Sequence, residues 1–100
     1  MPNGATVRVR WLKKARKNLD AAMDYIAQDN PETAAEMYKH IRSRVDDLAE
    51  QPGQGRPGRV YGTRELVIEK YPYIVPYRVK ESEIVILRVF HTSQKPPLKW

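Results

Sequence analysis

The spacing of apolar residues changes twice along this chain, and that change limits the available folds more than any other feature. Residues 7–12, VRVRWL, alternate apolar and basic side chains, which is typical of a short strand. From Lys13 the spacing becomes helical, and it returns to alternation in three segments after residue 62. The order of one strand, helices and then three strands predicts an α+β fold, with the helices covering one face of the sheet.

The helical region divides into two helices at residues 29–31, DNP. Asparagine is a favoured N-cap, and proline suits the first position of a helix. We therefore predict one helix from Lys13 to this motif and a second from Pro31 to about Glu50. Two helices joined by so short a connection form an antiparallel hairpin. The residues expected to face inward are Ala15, Leu19, Ala22, Ile26, Ala34, Met37, Tyr38, Ile41, Val45 and Leu48.

A glycine-rich loop precedes the last strands. Residues 51–62, QPGQGRPGRVYG, hold four of the five glycines, which is typical of a loop. Three antiparallel strands joined by hairpins are predicted after it, at residues 63–68, 73–79 and 83–90. With the N-terminal strand they form one small sheet in a single domain, residues 1–100. Residues 92–100 are a polar tail that we expect to be poorly packed past Lys95.

The second and third of these strand segments are apolar on both faces near their centres. Alternation places Tyr73, Val75 and Tyr77 on one face of the second segment, and Ile86 and Phe90 on one face of the third. An exposed apolar face on so small a protein usually marks a binding site. The alternative is that the helices and the loop cover both faces of the sheet.

Two prolines interrupt the pattern of residues 69–78, EKYPYIVPYR. Pro72 and Pro76 lack the N–H group that a strand donates to its neighbour. We expect Pro76 to lie at an edge of the sheet, or where that N–H would face away from a neighbouring strand.

Charge is distributed unevenly along the chain. Residues 1–19 carry six bases and no acid, residues 20–52 have a net charge of −5, and residues 53–100 have a net charge of +5. Basic ends that meet on one face would attract an anionic partner, either nucleic acid or an acidic protein segment.

The composition excludes several kinds of site. The absence of cysteine excludes disulfides and thiolate chemistry. His40 and His91 are isolated and cannot by themselves hold a metal, so we expect no metal and no cofactor. There is no apolar run of about 18 residues for a membrane span, and the first residues lack the apolar core of a signal peptide. We expect a small cytoplasmic protein.

Arginines in the loop and the strands are the candidate binding residues for phosphate or for a partner's carboxylate. They are Arg56, Arg59, Arg64, Arg78 and Arg88. Arg64 is the best of them, because it directly follows the basic loop. The alternative is that they pair with acids of this chain such as Glu65 or Glu83, since an arginine inside a sheet is rarely buried without a partner.

His91, at the end of the last strand segment, is the candidate acid or base. Its side chain can exchange a proton near neutral pH. The alternative is that His91 is a polar residue at a strand end without chemical function. His40 is expected at the surface of the second helix.

The ordered set of motifs resembles one known group of proteins. A strand, a helical hairpin closed by DNP, then GRPGRVYGTRELVI, YPYIVPYRV and ILRVFH are similar to the toxins of type II toxin–antitoxin modules in the RelE/ParE superfamily. The likeness covers residues 7 to about 91. It implies a small bacterial toxin that is neutralised by a cognate antitoxin in a hetero-oligomeric complex. The antitoxin would cover the apolar face formed by Tyr73, Val75, Tyr77, Ile86 and Phe90.

The superfamily divides by target. RelE-like members cleave messenger RNA on the ribosome, using two lysines and an arginine at the phosphate, whereas ParE-like members poison DNA gyrase. Here the first lysine position matches Arg64, but the second matches Leu66 and the arginine position matches Ile74. Aliphatic side chains cannot stabilise developing charge on a phosphate. The resemblance therefore favours a ParE-like toxin that binds gyrase and has no chemistry of its own.

Two alternatives stay open at this point. A ribosome-dependent messenger RNA endoribonuclease would use Arg64 and His91 as catalytic residues, since other nuclease members use a glutamate and a histidine. In the second alternative, the chain is a non-toxic binding module held in an antitoxin complex. The sequence thus leaves open whether the protein is an enzyme, which antitoxin it binds and which surface contacts the target.

Overall fold

The computed structural model describes residues 7–100, so the first six residues of the predicted domain lie outside the described part. Two helices pack on one face of a small mixed sheet, which confirms the predicted α+β fold. The elements are β1 (Arg8–Trp11), α1 (Lys13–Ala27), α2 (Pro31–Asp46), a 3-10 turn (Asp47–Ala49), β2 (Arg56–Pro57), β3 (Arg64–Ile68), β4 (Tyr73–Val79), β5 (Glu83–Ile86) and β6 (Phe90–His91).

The two helices begin for different physical reasons. At α2 the Asn30 side chain accepts a hydrogen bond of 3.1 Å from the Thr33 N–H, and Pro31 occupies the first helical turn as predicted. At α1 the N-cap is Leu12, which makes no side-chain cap, and the first turn carries bases but no acid. Bases at the positive end of a helix dipole are unfavourable. Packing therefore stabilises α1, through the buried residues Ala15, Leu19 and Ala22.

The strands form one sheet in the order β1-β5-β4-β3-β2, with β6 also paired to β4. Strands β2 to β6 pair in an antiparallel manner, whereas β1 runs parallel to β5. In β3 and β4, Leu66 lies opposite Val75, and in β4 and β5, Tyr77 lies opposite Ile86. These side chains belong to the core between sheet and helices, so this is the helix-covered face.

The third strand segment, predicted at residues 83–90, is interrupted in the structure between Ile86 and Phe90. The cause lies on the neighbouring strand β4. The Leu87 N–H donates to the Pro76 carbonyl at 2.9 Å, but Pro76 has no N–H to return the bond. Pro76 is thus in a central strand facing a neighbour, and the expectation that it lies at an edge or faces away is wrong.

Two side chains compensate for the interruption. Arg88 Nη1 donates to the Leu87 carbonyl at 2.7 Å, which supplies the bond that Pro76 cannot make. Asn18 Oδ1 on α1 accepts from the Val89 N–H at 3.2 Å. Both backbone groups of Leu87 and the N–H of Val89 therefore have partners at the break, as buried polar groups require.

The break also reverses the side-chain alternation of the last strand. Val89 belongs to the helix-covered core, whereas Phe90 lies opposite Ile74 on the other face. The prediction that Ile86 and Phe90 share a face is wrong, because one additional residue at the break moves the following side chains to the opposite face.

Candidate functional site

A buried carboxylate organises the basic loop. Glu65 is 1% exposed and accepts four hydrogen bonds from two arginines. Arg56 Nη2 reaches Oε1 at 3.1 Å, and the Arg59 backbone N–H and Nε both reach Oε2 at 2.9 Å. Burial raises the pKa of Glu65, but the hydrogen bonds from Arg59 and Arg56 outweigh it and hold that pKa below its ordinary value. Two of the five candidate arginines are therefore paired within the chain.

Arg64 and Tyr77 fix the beginning of the loop. Arg64 Nη1 donates to the Gly55 carbonyl at 2.7 Å and to the Gly53 carbonyl at 3.3 Å. The Tyr77 hydroxyl accepts from the Gly55 N–H at 2.8 Å and donates to the Pro52 carbonyl at 2.7 Å. Burial raises the pKa of Tyr77, so its hydroxyl stays protonated and able to donate.

Arg78 contacts the turn at the end of the same loop. Its Nη1 donates to the Gly62 carbonyl at 3.2 Å, and Gly62 has a φ of 79°, which favours glycine. Arg64, Arg78 and Arg88 donate only to backbone carbonyls and have no salt-bridge partner within residues 7–100. Their charge is therefore not neutralised by a carboxylate of the described chain.

His91 lies in a separate cavity of about 450 Å³ at the far end of β4. Its ring contacts Tyr73 edge-on at 5.0 Å, and its Nδ1 accepts a hydrogen bond of 3.0 Å from the Ser93 N–H. The residues that line this cavity include Asn18, Tyr25 and Gln94, and no carboxylate is among them. Within residues 7–100 the hydrogen-bond partner of the His91 ring is Ser93 and not a carboxylate.

The structure does not bring the candidate catalytic residues together. Arg64 lies opposite Tyr77 in the sheet, and His91 lies opposite Tyr73. These positions are four residues apart on β4, or about 13 Å along a strand. In addition, Arg64 is bonded to the Gly53 and Gly55 carbonyls at one end of the sheet, whereas His91 lines the cavity at the other end. As placed here, the two side chains do not meet at one phosphate.

Leu66 and Ile74 also fail to form one pocket. Leu66 is 1% exposed in the helix-covered core, whereas Ile74 pairs with Phe90 on the opposite face. The interpretation that both replace cations of a single nuclease pocket is wrong, because a sheet directs successive residues to opposite faces. The separation of Arg64 from His91 is the stronger argument against an assembled nuclease site.

The apolar face assigned to antitoxin binding is not exposed. Tyr73, Val75, Tyr77 and Ile86 are at most 7% exposed, because α1 and α2 pack on them. Phe90, on the other face, contacts the Trp100 ring at 5.3 Å. The structure thus supports the alternative that both faces are covered.

Residues 96–99 are exposed, in line with the expectation for the tail past Lys95, but Trp100 at its end is half-buried and packed. Besides Phe90, the Trp100 ring contacts the Arg59 guanidinium, which lies 5.7 Å from its centroid. Arg59 therefore joins the tail to the loop held by Glu65.

Tyr61 is a surface residue that the sequence reasoning missed. Its side chain is 98% exposed at the tip of the turn between Gly58 and Thr63. An aromatic residue placed before a glycine in an arginine-rich loop was a signal that could have identified it. Of the residues that the structure describes, none form a cluster of three potential metal ligands, and no helix is long and apolar enough to cross a membrane.

Comparison with known proteins identifies the family. A family model described as the ParE toxin of the type II toxin–antitoxin system parDE matches residues 9–96. The chain belongs to the ParE toxin family. It is 46% identical over 90 residues to a Sinorhizobium fredii protein named "Putative toxin Y4kP", covering 90% of this chain and 93% of that protein. It is 34% identical over 87 residues to Toxin RelE2 of Caulobacter vibrioides, covering 87% and 97%.

Solved structures agree with this membership in the ParE family. A chain of the chromosomal ParDE system from P. aeruginosa superimposes with a TM-score of 0.77 at 37% identity, covering 86% of this chain and 96% of that one. A chain of the RelBE2 toxin–antitoxin complex from Mycobacterium tuberculosis gives a TM-score of 0.57 at 26% identity, with 86% and 98% covered. This ParE homologue thus has the α+β fold of both toxin groups.

Proposed function

We propose that this ParE homologue is a growth-inhibiting toxin that binds DNA gyrase and does not itself cleave nucleic acid. The observation that carries this proposal is the separation of Arg64 from His91, by four positions along β4. A cleavage mechanism needs a cation and a proton-transfer group at the same phosphate. Binding to a target enzyme has no such requirement.

The other candidate arginines support the same conclusion. Arg56 and Arg59 share the buried Glu65 carboxylate, so their charge is used to fix the loop. Arg88 supplies the hydrogen bond that Pro76 cannot make. These three side chains have structural roles. Moving Arg88 toward a substrate would leave the Leu87 carbonyl unpaired, and moving both Arg56 and Arg59 would leave the buried Glu65 carboxylate without a cation.

We further propose a cognate antitoxin as the partner that neutralises the toxin, in a cytoplasmic hetero-oligomer. Membership in the ParE family and the similarity to chains of the ParDE and RelBE2 systems support this partner. Since the helix-covered face is closed, the antitoxin would bind outside Tyr73, Val75, Tyr77 and Ile86.

A gyrase supercoiling assay with purified toxin tests the proposal. We expect the wild-type protein to inhibit supercoiling and His91→Ala to inhibit it equally, because His91 has no catalytic role in this proposal. Growth arrest on expression should be relieved by co-expression of the adjacent antitoxin. Normal supercoiling at toxin doses that arrest growth would contradict the proposal.

Mapping of transcript ends after induction tests the alternative activity. A ribosome-dependent endoribonuclease would produce cuts within translated codons, and His91→Ala would reduce them. Intact transcripts in arrested cells exclude this alternative. Normal growth without antitoxin would instead indicate a non-toxic binding module.

A further inference from the structure

The indole ring of Trp100 lies on the face of the sheet that the helices do not cover. It contacts the Phe90 ring at 5.3 Å between centroids, and the Arg59 guanidinium lies 5.7 Å from its own centroid. Phe90 lies opposite Ile74, and Arg59 is bonded to Glu65. Alternation along β3 and β4 places both of these strand positions on the same face. Phe90 and Arg59 thus form one site for the ring, which we call the Trp100 site.

The segment that carries Trp100 is attached to the sheet by little else. Residues 92–99 are exposed, and within residues 7–100 none of residues 95–99 takes part in a hydrogen bond or a salt bridge. Ordering these residues costs conformational entropy that no bond of their own offsets. Docking of the segment therefore depends on the contacts of the Trp100 ring with Phe90 and Arg59.

The polar atom of the indole makes Trp100 an imperfect occupant of this site. Its Nε1 atom is buried, yet within residues 7–100 the N–H group has no hydrogen-bond partner. A buried donor without a partner is unfavourable, whereas an apolar side chain in the same place leaves no donor unpaired. An apolar side chain from another protein would therefore fit the Trp100 site better.

The charge of the tail is also unfavourable for docking. Arg56 and Arg59 share the single carboxylate of Glu65, so one positive charge remains beside the Trp100 site. Residues 95–100, KPPLKW, carry two lysines and no acid, so the tail brings like charge toward Arg59. Like charges at an interface weaken binding, and opposite charges favour it. The site thus fits an acidic segment better than it fits the tail.

We propose that residues 95–100 form a displaceable strap, and that an acidic segment of the antitoxin replaces Trp100 on Phe90 with an apolar side chain. Carboxylates of that segment would lie beside Arg59, where the strap has lysines. The inference rests on the proposed function, because it gives the antitoxin named there a place on the toxin. Binding that must first displace the strap is weakened by the fraction of molecules in which the site is occupied.

NMR of isotope-labelled toxin tests whether the antitoxin displaces Trp100. The chain has two tryptophans, so the indole N–H signal of Trp100 is assigned by its loss in Trp100→Ala. We expect this N–H to exchange slowly with solvent in the free toxin, because its nitrogen is buried. After addition of unlabelled antitoxin it should exchange rapidly, at the chemical shift of an exposed indole. Rapid exchange in the free toxin, or a signal that bound antitoxin leaves unchanged, would overturn the proposal.

Isothermal titration of toxin variants with the antitoxin measures the competition. Trp100→Ala empties the site and should bind the antitoxin roughly tenfold more tightly, if the strap is docked in about 90% of the free molecules. Phe90→Ala in that background should weaken binding roughly tenfold, as the loss of an interface anchor does. Leu98→Ala is the matched control, because Leu98 lies in the same tail and is 96% exposed, and it should leave the affinity unchanged. Unchanged or weaker binding by Trp100→Ala would contradict displacement.

Charge reversal in the tail tests the role of Arg59. Lys99→Glu places a carboxylate next to Trp100, so it should hold the strap more tightly and weaken antitoxin binding roughly twofold to fivefold, the range of an exposed ion pair. Lys95→Glu makes the same change of net charge at the beginning of the strap and is the control. Its effect should be smaller, because salt screens exposed charges that are further apart. Equal effects of the two substitutions would remove Arg59 from the proposed site.

The outcomes separate this inference from the proposed function. If the antitoxin relieves growth arrest while the Trp100 signal and the affinity of Trp100→Ala are unchanged, the antitoxin stands as the partner and this inference fails. If the antitoxin neither binds nor relieves growth arrest, the proposed partner fails, whereas slow exchange of the indole N–H in the free toxin would still establish the docked strap. Displacement of Trp100 by gyrase rather than by the antitoxin would assign the site to the target and overturn the antitoxin as its occupant.

Discussion

At the scale of single residues, Glu65 decides what the loop arginines can do. Its carboxylate is almost completely buried and is shared by Arg56 and Arg59, whose side chains are 53% and 37% exposed. A buried carboxylate without a partner would destabilise the fold by several kcal/mol. The arginines, by contrast, would remain solvated without it. The fold therefore requires that the Glu65 carboxylate stay paired with at least one of the two arginines.

Replacing Glu65 by glutamine should lower the free energy of unfolding by roughly 1–3 kcal/mol, the range for buried polar groups that lose their hydrogen-bond partners. The amide keeps the volume of the side chain but loses its charge and two of its acceptor positions. Urea denaturation at pH 7 measures the change. Glu81→Gln, at an exposed position beside β5, is the control and should change stability by less than about 0.5 kcal/mol. Equal stability of the two variants would contradict a structural role for Glu65.

Part of this arrangement could be predicted and part could not. Pairing of the arginines with acids of the chain was one of two alternatives that the sequence left open. To choose between them one must know that Arg56 lies opposite Glu65 in the sheet, and this follows only from the register of β2 and β3. Because β2 has only two residues, no periodicity indicates that register.

At the scale of elements, the Tyr77 hydroxyl joins β4 to the loop that precedes β2. It pairs with one N–H and one carbonyl of residues 52–55, which would otherwise be left without partners. Tyr77→Phe should therefore lower the free energy of unfolding by roughly 1–3 kcal/mol, the range for an unsatisfied buried group. It should also speed hydrogen exchange of the Gly55 amide. Urea denaturation and exchange followed by NMR provide the two measurements.

Tyr38→Phe is the matched control for that experiment. Its hydroxyl accepts only from Arg42, in an exposed interaction on α2, so its loss should have little effect. A protected Gly55 amide in Tyr77→Phe would indicate that the loop is held by Arg64 alone.

The break between β5 and β6 leads to a second prediction, which concerns how Arg88 stabilises the sheet. Arg88→Met removes the donor to the Leu87 carbonyl and should destabilise the protein by roughly 1–3 kcal/mol. Pro76→Val restores an N–H facing the same carbonyl, so in that background Arg88→Met should be less destabilising. A double-mutant cycle measured by urea denaturation gives the coupling free energy. Additive effects would show that Arg88 does not replace the missing bond.

The same break explains which strands could be predicted. The bounds of β4 match the predicted residues 73–79, because its alternating pattern is continuous. The pattern is equally continuous over residues 83–90, yet the strand breaks where it faces Pro76. Leu87 lies opposite Pro76 because of how the two strands pair, and the periodicity of a single segment does not reveal that pairing. The α2 start, by contrast, depends only on Asn30 and Pro31 and was predictable.

At the scale of the whole molecule, both faces of the sheet are closed by different means. The helices cover one face, while Phe90, Trp100 and Arg59 contact one another on the other, with the Phe90 and Trp100 rings edge to face. Apolar residues on both strand faces were therefore a sign of two-sided packing rather than of an open binding face. The large hydrophobic side chains that remain exposed lie apart from one another, on α1, on a turn, at the end of β4 and in the tail: Tyr25, Tyr61, Val79 and Leu98.

The stability of the whole molecule should decrease in acid, because the carboxylates of Glu65 and Glu83 are each paired with arginine. The hydrogen bond from Arg10 and the charge of Arg10 lower the pKa of Glu83, and the pKa of Glu65 is also lowered from the ordinary 4.5. A carboxylate whose pKa is lower in the folded state contributes stability above the unfolded pKa. That contribution is lost as the pH falls through the folded pKa. The free energy of unfolding should thus be constant well above pH 4.5 and decrease below it.

Urea denaturation from pH 7 to pH 3 distinguishes the two carboxylates. Glu65→Gln should be less stable than the wild type at pH 7 and should lose less stability on acidification, because the buried titrating group is absent. Glu83→Gln should retain most of the pH dependence, since Glu83 and Arg10 are exposed and their interaction is screened by solvent and salt. Parallel pH profiles for the wild type and Glu65→Gln would mean that other carboxylates control acid unfolding, and that the Glu65 cluster is not linked to pH.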